Sequence, residues 1–147
     1  MLSGTREVEI RRRLLRPIDE VFSWWTEANR LREWMSPFGT VEAEVDLRVG
    51  GAFRIAMKGG DTVIDHVGEY LEITRPTRLV FTWRSRFTGP ESSIVTVHLQ
   101  PDGENATLVR IVHSQLPEAV ANSHRDGWGS MLDRLAAGIT APAAEGG

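Results

Sequence analysis

Residues 41–58 read Val41-Glu42-Ala43-Glu44-Val45-Asp46-Leu47-Arg48-Val49-Gly50-Gly51-Ala52-Phe53-Arg54-Ile55-Ala56-Met57-Lys58. Val41, Ala43, Val45 and Leu47 alternate with Glu42, Glu44, Asp46 and Arg48, which predicts a strand with one dry and one wet face. Gly50-Gly51 interrupts the alternation as a hairpin turn, and Phe53, Ile55 and Met57 resume it beside Arg54 and Lys58. Paired strands that each carry one apolar face need a second layer to cover it.

Toward the C-terminus the period of two persists. Gly59-Gly60-Asp61 is a second turn, and a long strand runs from Val63 to about Ile73, with Gly68 as a bulge or bend. Taking Val67 and Leu71 as its inward parity places Glu69 on the inner face. Arg75-Pro76-Thr77 turns the chain into Leu79, Phe81 and Trp83, and Thr88-Gly89-Pro90 breaks it again. Val95, Val97 and Leu99 define a sixth strand, closed by Pro101-Asp102-Gly103; Thr107, Val109, Ile111 and His113 define a seventh. After Pro117 the period becomes helical, with Val120, His124, Trp128, Leu132, Leu135 and Ile139 in one stripe. Gly127 and Gly129 flank Trp128, each disfavoured in a helix interior by about 1 kcal/mol, and predict close approach of the backbone to the sheet there. Residues 140–147 carry nothing to bury and are expected to be a disordered tail.

Toward the N-terminus, Val8, Ile10, Arg12 and Leu14 share a parity and form the first strand, with Arg12 the odd member of its apolar face. Pro17 opens a helix over 17–28, Asp19 and Glu20 suiting its first turn. Leu31, Trp34 and Met35 continue as a second short helix, stopped by Pro37 and Gly39. The order is β-α-α-β6-α: an α+β fold in one domain, residues 1–139.

The 147 residues can bury a core without staples, and the composition (41% hydrophobic, 25% charged) is that of a globular domain. The chain has no cysteine, which removes disulfides, thiolate catalysis and cysteine-bound metals. A net charge of −3 argues against a general nucleic-acid binder. Arg11-Arg12-Arg13 lies in a strand, so its side chains alternate between faces. Neither a secretory h-region nor a membrane-length apolar run is present, so no membrane insertion and a cytoplasmic location are expected.

Several segments together resemble a known family. Pro17, Val21-Phe22, Trp24-Trp25-Thr26, Trp34 and Pro37 are similar to the first helical segment of the activator of heat-shock-protein-90 ATPase homologue family, part of the START/birch-allergen-like helix-grip superfamily. Asp46 to Phe53 resembles its hairpin signature, and Gly68 to Ile73 with Arg78 to Trp83 its central strand pair. His113, Leu116-Pro117, His124, Gly127-Trp128, Leu132 and Leu135 resemble its last strand and grip helix, and Arg12 matches an arginine common in its first strand. The resemblance spans residues 5–139. It implies a seven-stranded antiparallel sheet wrapped around a long C-terminal helix with a cavity between them, and a superfamily theme of binding lipids, hormones or polyketide-like molecules. The family's co-chaperone carries a separate N-terminal domain that nothing in this chain matches. A homodimer stays open, since members often pair, but no motif here dictates one.

The large rings converge from both ends of the chain. Trp24 or Trp25, Trp34, Phe53, Phe81, Trp83 and Trp128 are expected to wall an apolar groove between sheet and helix, although any one of them could simply fill space. Arg12 and Glu69 are candidate inward charges that would meet a ligand or pair within the fold. His113 and His124 are either polar contacts or a general base in the cavity, or a hydrogen bond locking the helix to the last strand; the second is the simpler account. His98 is expected to face water. No nucleophile elbow, phosphate loop, metal-ligand spacing or carboxylate pair stands out, so no cofactor and no metal is called for. Binding of a small hydrophobic or amphipathic ligand is therefore expected rather than catalysis. The alternatives are a polyketide-cyclase-like or hydrolytic enzyme using His113 or His124, and a reduced co-chaperone-type interaction module presenting Trp24 and Trp25.

Overall fold

The computed structural model describes residues 4–36, 40–89 and 91–140. The elements are β1 (Thr5–Leu14), α1 (Ile18–Thr26), α2 (Ala28–Leu31), β2 (Thr40–Val45), β3 (Ala52–Gly59), β4 (Thr62–Thr74), β5 (Arg78–Trp83), β6 (Ser93–Pro101), β7 (Thr107–Pro117) and α3 (Glu118–Thr140). The strands form one seven-stranded sheet in the order β1-β7-β6-β5-β4-β3-β2, every pairing antiparallel. The first strand thus closes onto the last, and α3, with the short helices, covers the inner face. This is the α+β helix-grip architecture expected from the alternation and from the family resemblance.

Each strand's dry face supplies the core. Phe53, Ile55 and Met57 from β3, Leu79, Phe81 and Trp83 from β5, Val95, Val97 and Leu99 from β6, and Val109, Ile111 and His113 from β7 are all buried. Opposite them α3 buries Ala121, Trp128, Met131, Leu132 and Leu135. Ala43 and Val41 continue the inner face onto β2, whose wet side pairs with β3: Lys58 Nζ reaches Glu42 and Arg54 reaches Glu44. At the β2–β3 turn Gly50 has φ +86°, a left-handed conformation open to glycine, and a Cβ on Gly51 would lie 2.1 Å from the Asp46 carbonyl oxygen.

Three expectations need correction. The helix predicted over 17–28 breaks at Glu27, which is extended (φ −97°, ψ 128°), giving α1 and the single-turn α2. Thr26 Oγ1 donates back to the Phe22 carbonyl at 3.0 Å, a local bond of the kind that bends or ends helices. Trp34 and Met35 lie in the turn after α2, and the break lets Trp34 Nε1 donate to the Trp24 carbonyl at 3.0 Å. The second correction concerns β4. Directly paired residues share a face, and Phe53, Ile55 and Met57 pair with Gly68, His66 and Ile64. The inner face of β4 is therefore Ile64, His66, Gly68 and Tyr70, and Glu69 is exposed on the opposite side with Val63 and Leu71. Third, the irregularity in β4 falls between Tyr70 and Glu72, not at Gly68. Gly68 is instead a close-approach site: a Cβ there would sit 2.0 Å from the Thr82 carbonyl oxygen and 2.4 Å from the Phe53 ring. Pro37, Gly39, Pro90 and the tail beyond Thr140 lie outside the described residues, as does the side chain of Ile139. Thr140 itself is the last residue of α3.

Candidate functional site

The rings that converge on the space between sheet and helix divide into two groups. Trp25 stands edge-on to Trp34 at 4.7 Å and tilts against Trp128 at 5.9 Å. Phe53 packs against Phe81 at 5.3 Å and Tyr70 at 5.4 Å. Only about 10 Å³ of space is left among Trp25, Met35, Phe53, Tyr70, Phe81 and Trp83. These rings fill the middle of the fold, so a single wide groove walled by all of them does not form. Trp24 is half-buried on the other side of α1, with the Arg30 guanidinium 5.0 Å over its ring.

The open space lies further along, under the N-terminal half of α3. A groove of about 410 Å³ is floored by Met57, Ile64 and His66 of β3 and β4, with Trp83 and the exposed Phe87 of the turn after β5. Its other wall is α3, through Val120, Ser123, His124, Gly127, Trp128 and Met131. Gly127 creates much of the opening, because a Cβ built there meets nothing within 4 Å. The close approach expected at both helix glycines thus holds only at Gly129, where a Cβ would lie 3.2 Å from Arg12 Nη2.

Histidine chemistry separates the two wall faces. Trp128 Nε1 donates to His113 Nδ1 at 2.9 Å, and an indole N–H can only donate. His113 is therefore the Nε2–H tautomer, and Nε2 donates to Ser93 Oγ at 2.7 Å. Ser93 Oγ in turn donates to the Trp83 carbonyl at 2.8 Å. Every polar atom of this chain of bonds is used, and burial holds the His113 pKa down to about 3, reinforced by His124 and His66 nearby. His113 is thus the lock between β7 and α3, with Trp128 rather than His124 as its partner.

His124 differs. Its Nδ1 lies 2.8 Å from the Val120 carbonyl oxygen, which can only accept, so Nδ1 carries the proton and Nε2 a lone pair. Burial lowers its pKa, opposed by the bond to Val120. Its ring meets His113 at right angles, 5.4 Å between centroids, with no hydrogen bond between them. His66 is the residue that sequence reasoning missed. It is buried, its ring lies 4.7 Å from Trp83, and its Nδ1 has no hydrogen-bond partner among the described residues. Burial lowers its pKa to about 4. The pairing of β3 with β4 would have revealed it, since His66 faces Ile55.

The two candidate charges lie elsewhere. Arg12 does share the inner parity of β1, but at the sheet edge it turns to α3, where Nε donates to Asp133 Oδ1 at 2.9 Å. Glu69 faces outward, its backbone N–H bonded to Thr82 Oγ1. His98 is half-exposed on the outer face between Arg78 and Arg110, its pKa lowered by partial burial and by both guanidiniums. Among the described residues no three of His, Asp and Glu converge as a metal site, and no helix is long and apolar enough to cross a membrane.

Solved structures share this architecture. CalU16 from Micromonospora echinospora is 32% identical, with a TM-score of 0.73, over 92% of this chain and 77% of that one. A protein from Chromobacterium violaceum is 27% identical with a TM-score of 0.82, covering 92% and 98%. An HSP90 activator from Plasmodium falciparum is 29% identical with a TM-score of 0.60, covering 91% and 87%. No curated protein sequence is significantly similar to the chain. The model of the family described as activator of Hsp90 ATPase homolog 1-like protein matches residues 16–139, from the turn after β1 into the last turn of α3. The chain belongs to this family.

Proposed function

We propose that this protein binds a small, predominantly apolar molecule in the groove between α3 and strands β3–β5, with His66 and His124 as its polar contacts. The observation that carries this reading is the groove itself: about 410 Å³ beside Gly127, within the size range of small-molecule sites and walled by Met, Ile, Val and aromatic side chains. Affinity would come from apolar burial, at roughly 25 cal/mol per Å² before ordering costs. Of the residues expected to line a pocket, Trp83, His124 and Trp128 border this groove. Trp24, Trp25, Trp34, Phe53 and Phe81 support it from the core or its margin, and Arg12 and Glu69 take no part.

Gly127→Leu tests the proposal, because it puts a side chain into the groove from a position where a Cβ meets nothing within 4 Å. Wild-type protein should saturate with a fluorescent polycyclic probe such as phenanthrene. The variant should keep its circular dichroism, melt no lower than wild type and lose the binding. Undiminished binding by a folded Gly127→Leu would place the ligand elsewhere.

One observation favours a second reading, an enzyme of proton-transfer type on the same scaffold. The lone pair on His124 Nε2, with the ring oriented by Val120, is the arrangement of a general base. His113 has no free nitrogen for that role. His124→Gln should then abolish turnover of a substrate while leaving its binding within a few fold. The exposed Trp24/Trp25 pair that would have suggested an interaction module is not formed: Trp25 is buried and Trp24 is stacked under Arg30.

A further inference from the structure

We infer that the groove selects an uncharged ligand carrying an O–H or N–H donor, such as a phenol or alcohol on a broad ring system, over the matching carboxylate. The inference rests on the proposed binding site and adds the polarity of its occupant. The bond from His124 Nδ1 to the Val120 carbonyl at 2.8 Å leaves Nε2 as an acceptor on a ring that borders the groove. Among the described residues no group fills that acceptor. His113, the neighbouring imidazole, has its own N–H committed to Ser93, and the Ser123 hydroxyl is donated to the Val120 carbonyl at 3.0 Å.

On the opposite side of the groove two more buried nitrogens have no hydrogen-bond partner among the described residues, His66 Nδ1 and the Nε1–H of Trp83, and an indole N–H can only donate. Buried polar atoms without a hydrogen bond are costly, so a hydroxyl, which both donates and accepts, gains what the free protein forgoes, and His124 Nε2 is the acceptor that makes its proton count. Charge argues in the same direction. Among the described lining residues there is no arginine, lysine, aspartate or glutamate. A carboxylate entering the groove would shed water and meet no counter-charge, which is far more unfavourable than burying a hydroxyl that finds an acceptor.

The experiment is titration calorimetry at pH 7.5 with 9-phenanthrol, 9-methoxyphenanthrene and phenanthrene-9-carboxylate on wild-type protein and His124→Phe. In the wild type the phenol should bind about tenfold more tightly than the ether, the effect of one neutral hydrogen bond. The carboxylate should bind more weakly than either. In His124→Phe the phenol should lose its advantage and bind no more tightly than the ether. An ether that matches the phenol in wild type, a carboxylate that binds best, or a phenol advantage surviving in His124→Phe would overturn the inference while leaving the groove. Failure of all three probes to bind would remove the binding proposal itself and this inference with it. If His124→Phe does not fold, the wild-type ranking of the three probes decides.

Discussion

His113 shows how much a single side chain can commit. Both nitrogens are engaged, one accepting from Trp128 and one donating to Ser93, in a site with no measurable exposure. Trp128→Phe keeps most of the ring but leaves Nδ1 without a donor, and should cost about 1–3 kcal/mol in chemical denaturation. Trp83 borders the groove and is also part of the core. It is buried, stacks on Trp128 at 5.2 Å and on His66, and its carbonyl ends the bonded chain from His113. Trp83→Ala should therefore destabilise the protein by about 3–5 kcal/mol, and a lost ligand in that variant would report on folding. Residue roles of this kind were only half legible. Parity placed His113 and Trp128 indoors, but which ring meets which nitrogen depends on the angular setting of α3. His66 was hidden because β4 carries apolar residues on both faces, Val63, Val67 and Leu71 outside and Ile64 inside, so alternation alone chose the wrong parity.

At the scale of the element, two glycines have opposite reasons for being glycine. Gly127 sits mid-helix with space around it, so Gly127→Ala should raise stability by about 0.5–1 kcal/mol through helix propensity, visible as a higher melting temperature. Gly68 is the reverse: any Cβ collides with the β5 backbone and the Phe53 ring. Gly68→Ala should destabilise by more than about 2 kcal/mol in the same assay, since backbone cannot step aside cheaply. The ion pair that ties β1 to α3, Arg12 with Asp133, is about a third and two thirds exposed at its two ends. It should contribute less than about 1 kcal/mol, and Arg12→Ala should leave probe binding in the groove unchanged. Strands were the most readable elements because most have one dry face. The break at Glu27 was not readable, since the apolar spacing runs on across it, while the Thr26 back-bond and the placement of Trp34 that go with the bend are seen only in the fold.

At the scale of the whole molecule, the buried imidazoles make the fold sensitive to mild acid. His113 and His66 have folded pKa values near 3 and 4, below the ordinary 6.5. Between those values and 6.5 the unfolded chain binds more protons than the folded one. Stability is therefore intact above about pH 6.5 and is lost as pH falls toward the folded values, on the order of 1.4 kcal/mol per pH unit for each ring. Urea denaturation at pH 7, 6 and 5 should show this fall, and His66→Phe should flatten the slope. A stability independent of pH across that window would mean that the rings are not held neutral. The seven strands and the covering helix followed from alternation, turns and the final helical stripe, and the family from the motifs that resemble it, whereas the pairing of β1 with β7 is seen only in the fold. The position of the groove did not follow either, because it is set by a side chain that is absent, that of Gly127, and by rings that plug the space beside it.

The bonded chain from Trp128 to the Trp83 carbonyl also acts as a mechanical stop. A helix that slid by one turn, about 5.4 Å, or rolled by one residue would tear Trp128 from His113, so any shift of α3 away from the sheet costs this buried bond. The distance between the jaws is set from behind, like a caliper whose screw is tightened. What remains adjustable are the soft linings, the unbranched thioethers of Met57 and Met131 and the exposed Phe87 at the mouth. If the groove holds the proposed ligand, flat molecules of varied outline should be tolerated and thickness sorted, and a graded series of planar and puckered rings of equal polarity should divide along that line.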